Sequence, residues 1–157
     1  MVNYENDYVW GEGQQRRLFN ILEQKWNGII GQPRFAKYDF ISETTNIEMK
    51  SRKNLYKNSY DTTLLTMNKI TNTKKDTIFV FNFVFDVLSD FCEVYYIKYD
   101  KERFSKYAVA PFSRAKLKND EKDYIYIPVS DLTFLYRDDV SKGKCLLLNR
   151  PSLLQSV

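Results

Sequence analysis

Arg34–Arg52, RFAKYDFISETTNIEMKSR, is the stretch whose reading decides the fold. It reads as two short strands joined by a turn. Phe35 to Ile41 is rich in β-forming side chains, Ser42 to Thr45 is a polar turn, and Asn46 to Ser51 alternates. In the second strand Ile47 and Met49 point to one face, and Glu48 and Lys50 to the other. A turn made of Ser42, Glu43, Thr44 and Thr45 sets a register that places Asp39 across from Glu48. Carboxylates facing each other across paired strands repel. A hard divalent cation reverses the sign of that interaction, because carboxylate oxygens are its preferred ligands. Asp39 and Glu48 are therefore candidate metal ligands, with Lys50 a neighbouring cation, in the pattern D-x8-E-x-K.

On the N-terminal side, Leu18, Phe19, Ile21, Leu22 and Trp26 give Glu12–Asn27 the pattern of a helix with one buried face, ended by Gly28, Gly31 and Pro33. Met1–Trp10 reads as a loosely held arm or lead-in. Glu12 and Glu23 share nearly the same azimuth on that helix, but lie roughly 16 Å apart along its axis. At most one of them can reach the hairpin acids.

On the C-terminal side, a basic SRKNLYKN connection leads to a second expected helix over Ser59–Ile70, with Tyr60, Leu64, Leu65 and Met67 as its apolar face. Thr77–Val87, TIFVFNFVFDV, is the most strand-like run and is expected at the centre of a sheet, covered on both faces. Glu93–Tyr99 follows too closely for a crossover helix, so the two strands are expected as hairpin neighbours. Lys101–Lys118 reads as basic and irregular, interrupted by Pro111. Tyr124–Val129 reads as a strand with Pro128 near its end or on an edge, and Ser130–Leu132 as the opening of a short helical turn. The tail holds a Gly143 turn and a CLLL segment that could form one last strand.

The chain has 157 residues, 43% of them hydrophobic and 28% charged, which suits one soluble domain over 1–157 with a substantial core. A bias toward Asn, Lys, Ile and Tyr over Gly, Pro and Ala reads as AT-rich coding sequence, as in some large DNA viruses or low-GC microbes. The net charge is +4, and the basic residues gather after the hairpin at Arg52, Lys53 and Lys57, at Lys69, Lys74 and Lys75, and again over Lys98–Lys118. Basic surface beside a carboxylate cluster suits a polyanionic partner. The chain has no histidine, which removes Ser-His and Cys-His catalysis and histidine-ligated zinc. Cys92 and Cys145 are too few for a disulfide framework and lack zinc-ligand spacing, so both are expected reduced. No signal peptide or membrane span is expected, consistent with an intracellular protein.

Asp39, Glu48 and Lys50, preceded by an amphipathic helix bearing Glu12 and Glu23, resemble the PD-(D/E)xK nuclease superfamily, the restriction-endonuclease-like fold. The resemblance covers roughly the first half of the chain plus its strand order. It departs at Tyr38, where the family name calls for proline. It implies an α/β (α+β) domain with a mixed central sheet flanked by helices, and an Mg²⁺- or Mn²⁺-dependent endonuclease acting on nucleic acid, DNA in the first instance. On the family pattern Asp39 and Glu48 hold the metal, the Met49 carbonyl adds an oxygen, and Lys50 orients or deprotonates the attacking water or stabilises the phosphate. An assisting glutamate early in the first helix corresponds to Glu12. Arg52, Lys53, Lys57 and Lys69 are the expected nucleic-acid contacts, and small nucleases that cut both strands often act as homodimers.

Two other readings compete. A nucleic-acid-binding domain on the same fold without activity would stack bases on Tyr56, Tyr60 and Tyr107 near lysines. A structural or assembly protein, such as a virion component, would use the same aromatics for protein contacts. Met67 and the exposed charges have ordinary core and surface explanations.

Overall fold

The computed structural model describes residues 4–53, 61–70, 73–86, 91–112 and 122–138. Helix α1 (Tyr4–Lys25) opens the chain, followed by strands β1 (Ile30–Gly31), β2 (Phe40–Ile41) and β3 (Thr45–Lys53). Next come β4 (Thr62–Thr66) with a 3-10 turn at Met67–Lys69, then β5 (Asp76–Asp86) and β6 (Phe91–Lys98). A short helix α2 (Lys101–Ser105), β7 (Ala108–Phe112), β8 (Lys122–Pro128), a 3-10 turn at Val129–Asp131 and β9 (Thr133–Arg137) complete the described residues. One sheet runs β1-β2-β3-β5-β6-β9, parallel only between β3 and β5; the other runs β4-β8-β7. The protein is thus a mixed α+β fold with a mixed principal sheet.

Strand β5 occupies the expected central place, paired to β3 on one side and antiparallel to β6 on the other. Its alternation separates two cores. Ile78, Val80 and Val84 join Leu18 and Leu22 of α1, Ile47 and Met49 of β3, and Val94 of β6. Phe79, Phe81, Phe83 and Phe85 face the second sheet, meeting Leu65, Ile125 and Ile127, with Phe104 of α2 beside them. The sheet is therefore covered by α1 on one face and mainly by a second sheet, not by helices, on the other. Among the described residues no helix is long and apolar enough to cross a membrane.

Several expectations need correction. Tyr4–Trp10, read as a loose arm or a lead-in to the first helix, is part of that helix, because Trp10 packs against the α1-side core and anchors the added turns. Gly28 ends the helical region as expected, with φ of 80°. The strand expected over Phe35–Ile41 shrinks to Phe40–Ile41, since β1 offers only two residues for pairing. Residues 33–38 instead form a loop, turned by the Ala36 amide donating to the Pro33 carbonyl (3.0 Å) and closed where the Gln32 amide donates to the Asp39 carbonyl (2.9 Å).

The second helix is absent. Residues 62–66 form β4, with Thr63 and Leu65 buried and their neighbours half-buried. Three β-branched threonines in five residues favour an extended chain, and a period-two burial pattern rewards it. Ser59 and Tyr60 lie outside the described residues. The segment read as irregular contains α2, capped by the Asp100 carboxylate accepting from the Arg103 amide (2.9 Å), and β7. Pro111 fits β7 because that strand lies at a sheet edge. Pro128 closes β8, and Val129–Asp131 makes the expected short turn. Strand β9 was not expected, while the Gly143 turn, the CLLL segment and Cys145 lie outside the described residues.

Phe81 is fully buried at the middle of β5. Phe81→Ala is expected to cost about 3–5 kcal/mol of stability, read as a lowered urea midpoint with an unchanged slope.

Candidate metal and phosphate site

The register expected from the sequence is the one observed, with β2 and β3 paired as Phe40 with Ile47 and Ile41 with Asn46, although Thr45 belongs to β3 and not to the turn. Asp39 stands one residue before that ladder. Its amide donates to the Ile47 carbonyl (2.9 Å) and its Oδ2 accepts from the Met49 amide (2.8 Å), so Asp39 brackets Glu48. In an extended strand the N–H and C=O of one residue point to the same edge. The Met49 carbonyl is therefore directed toward the Asp39 side of β3, while its thioether lies in the α1-side core.

Alternation turns Glu48, Lys50 and Arg52 to the opposite face, under the second sheet. Arg52 confirms the direction by donating to the Leu64 carbonyl of β4 at 2.7 Å. Glu48 is only 3% exposed, and a charge so placed needs compensation. Lys50 Nζ lies 3.0 Å from Oε1, and Lys69 Nζ lies 3.2 Å from Oε2. The second contact is an ion pair without hydrogen-bond alignment. Lys69 donates to the Lys37 carbonyl at 2.6 Å, and Glu48 Oε2 stays buried with no hydrogen-bond partner.

The Asp39 carboxyl is pushed up to about 6, chiefly by burial and then by the negative charge of Glu48. The Met49 amide and the Lys50 and Lys69 charges pull it back only in part. Two neighbouring carboxylates, one of which resists ionising, make an environment that cations relieve, and Lys50 and Lys69 already do so in part. Among the described residues no group of three or more Cys, Asp and Glu side chains could enclose a metal. Asp39 and Glu48 are the two carboxylates of this cluster that could hold an ion such as Mg²⁺, which takes one or two carboxylates and completes its shell with water and phosphate oxygens.

Other sequence candidates are placed elsewhere. Helix α1 covers the Ile47 and Met49 face of the sheet, whereas Glu48 and Lys50 face the other way. Glu12 is ion-paired to Arg34 at 2.7 Å, which holds its carboxyl below the usual range; the structure does not bring it to the hairpin acids. The expected basic contacts are dispersed. Arg52 is tied down between the sheets, while Lys53 lies 4.9 Å from the Trp10 ring centroid and 4.0 Å from Asp7 Oδ1. Lys57, Tyr56 and Tyr60 lie outside the described residues. Tyr107 donates its hydroxyl to Asp131 (2.7 Å) and packs on Phe104, so its ring belongs to the core. Lys69, expected on nucleic acid, stands on Glu48. No local signal could have revealed this, because the contact joins two sheets.

Comparison with protein-family models, curated proteins and solved structures finds no match to this chain.

Asp39 titrates higher folded than unfolded, so the native state binds its proton more tightly. Its neutral form favours folding at low pH, and ionisation costs stability as pH rises from about 4 to about 6. Asp39→Asn should remove this dependence, gaining about 2 kcal/mol on wild type between pH 4 and 7, as read from urea melts across that range.

Proposed function

We propose that this chain is a metal-dependent nuclease of the PD-(D/E)xK type, hydrolysing phosphodiester bonds in nucleic acid, with DNA the first substrate to test. The observation that supports the reading is the buried carboxylate of Glu48 brought beside Asp39 and Lys50. The order of α1, the β1-β2-β3 meander and a parallel β5 supports a restriction-endonuclease-like core. A strand of the second sheet, where the resemblance expects a helix, is a departure from it.

In this reading Asp39 and Glu48 hold Mg²⁺ or Mn²⁺, with the Met49 carbonyl as a third oxygen. The ion supplies charge neutralisation and a more acidic water. Asp39 is oriented by the Met49 amide, so its second oxygen can turn to a ligand. Glu48 is fixed by burial and by ammonium groups near both oxygens. Lys50 has about a third of its side chain exposed and no second anchor among the described contacts. It can therefore swing from Glu48 to meet the phosphate or orient the attacking water. Glu12 has no part in this arrangement, because its carboxylate is engaged with Arg34 on the α1 side.

Cleavage of a labelled DNA duplex, single strand and branched junction should require Mg²⁺ or Mn²⁺. Lys50→Ala should lower kcat by about 100-fold or more while leaving DNA affinity within about threefold. Salt-sensitive binding without cleavage of any substrate, DNA or RNA, would instead support the non-catalytic binding reading.

A further inference from the structure

Lys69 is unlike Lys50 in how it is held. It belongs to the 3-10 turn after β4, so it reaches Glu48 from the second sheet. Its ammonium is also bonded to the Lys37 carbonyl in the loop that leads into Asp39, and only about a fifth of its side chain is exposed. One amine thus ties together β3, the loop before β2 and the second sheet. The loop anchor restrains it beside Glu48.

That fixes the electrostatics of the site. Two carboxylates, Asp39 and Glu48, are matched by two ammoniums, Lys50 and Lys69. A divalent ion arriving alone leaves the site doubly positive in a partly buried place, where charge is weakly screened. An ion reaching Glu48 Oε2 must share that oxygen with Lys69, which stands 3.2 Å from it. An anion beside both cations eases the conflict, a single phosphodiester charge halving the excess. A phosphodiester oxygen has the charge for it, and an ammonium is a common phosphate partner.

Resting on the nuclease reading above, we infer that the site takes its divalent ion and a phosphodiester together, and that Lys69 is the fixed cation that couples them. Lys50 is the mobile partner and Lys69 the stationary one. Coupling between ligands is reciprocal: if the phosphodiester tightens the ion, the ion tightens the phosphodiester by the same factor. Lys69 also changes the expected sign of a substitution. A purely positioning lysine would weaken ion binding when removed, whereas a coupling cation strengthens ion binding in the absence of the anion and abolishes the cooperativity.

The test measures binding, not turnover. Affinity for a phosphorothioate oligodeoxynucleotide, chosen to resist cleavage, is read by fluorescence anisotropy with and without Mn²⁺ at constant ionic strength. Mn²⁺ affinity without the oligonucleotide is read from the free-ion electron paramagnetic resonance signal. In wild type, Mn²⁺ should tighten the oligonucleotide by about tenfold or more, the usual scale of site–site coupling, and Asp39→Asn should abolish the effect. Lys69→Met should bind Mn²⁺ alone several-fold more tightly than wild type and lose the coupling. Lys69→Gln, which keeps a donor for the Lys37 carbonyl, should behave the same way and guards against misfolding of the first variant. Equal oligonucleotide affinity with and without Mn²⁺, or weaker Mn²⁺ binding in both Lys69 variants, overturns the inference and leaves the nuclease reading standing. No Mn²⁺ binding by wild type under either condition overturns both.

Discussion

A carboxylate buried under a second sheet is the constraint from which the rest of this site follows. Glu48 is paired in register with Phe79 on the neighbouring β5, at the border of the phenylalanine-rich core. Removing one charge from water at such a place costs several kcal/mol unless partners recover it. Lys50 is supplied by strand alternation, two residues further along the same face. Lys69 is supplied by the second sheet, and Asp39 by the hairpin. The hydrogen bond from the Met49 amide holds Asp39 next to a charge that it repels. Both oxygens of Glu48 thus have an ammonium within 3.2 Å, although Oε2 has no aligned hydrogen bond.

The architecture keeps this cluster apart from a second polar network on the opposite face of the sheet. There Asn82, in the middle of β5, donates to Gln14 of α1 and Ser51 of β3, both at 3.0 Å. Arg17 bonds Gln14 and the Cys92 sulfur, and pairs with Asp138. Cys92 is free and buried, and burial pushes its thiol up to about 12, which disfavours the thiolate. The network fixes α1 on the sheet through directed hydrogen bonds, where apolar contacts alone would let the helix slide. Its members have structural tasks.

Legibility in the sequence followed the range of the interactions. The hairpin register was readable because a four-residue polar turn between β-forming runs leaves few alternatives, and register fixes which side chains share a face. The place of β5 was readable because a long apolar strand must be covered on both sides. Misreadings came where short segments were decided by distant partners. Thr62–Thr66 has enough leucine to pass for a helix face, yet β8 supplies a ladder and the threonines take it. Phe35–Tyr38 has strand-forming residues but no strand beside it among the described residues, and Phe35 is left 90% exposed. Glu12 had the right spacing on the right helix, but the face of the sheet on which that helix packs is not written in its period.

By itself, then, the sequence determined the local alternation that puts Glu48 and Lys50 on one strand face, the turn that returns Asp39 to them, and the exclusion of histidine chemistry. Each depends on neighbours a few residues apart, where strand geometry leaves little freedom. Only the tertiary structure decided that Glu48 is buried, that Lys69 reaches it from another sheet, and that Glu12 is kept on the far side with Arg34. Those outcomes depend on which layers stack against which faces of the sheet, a choice made by the sum of many weak apolar contacts across the whole chain.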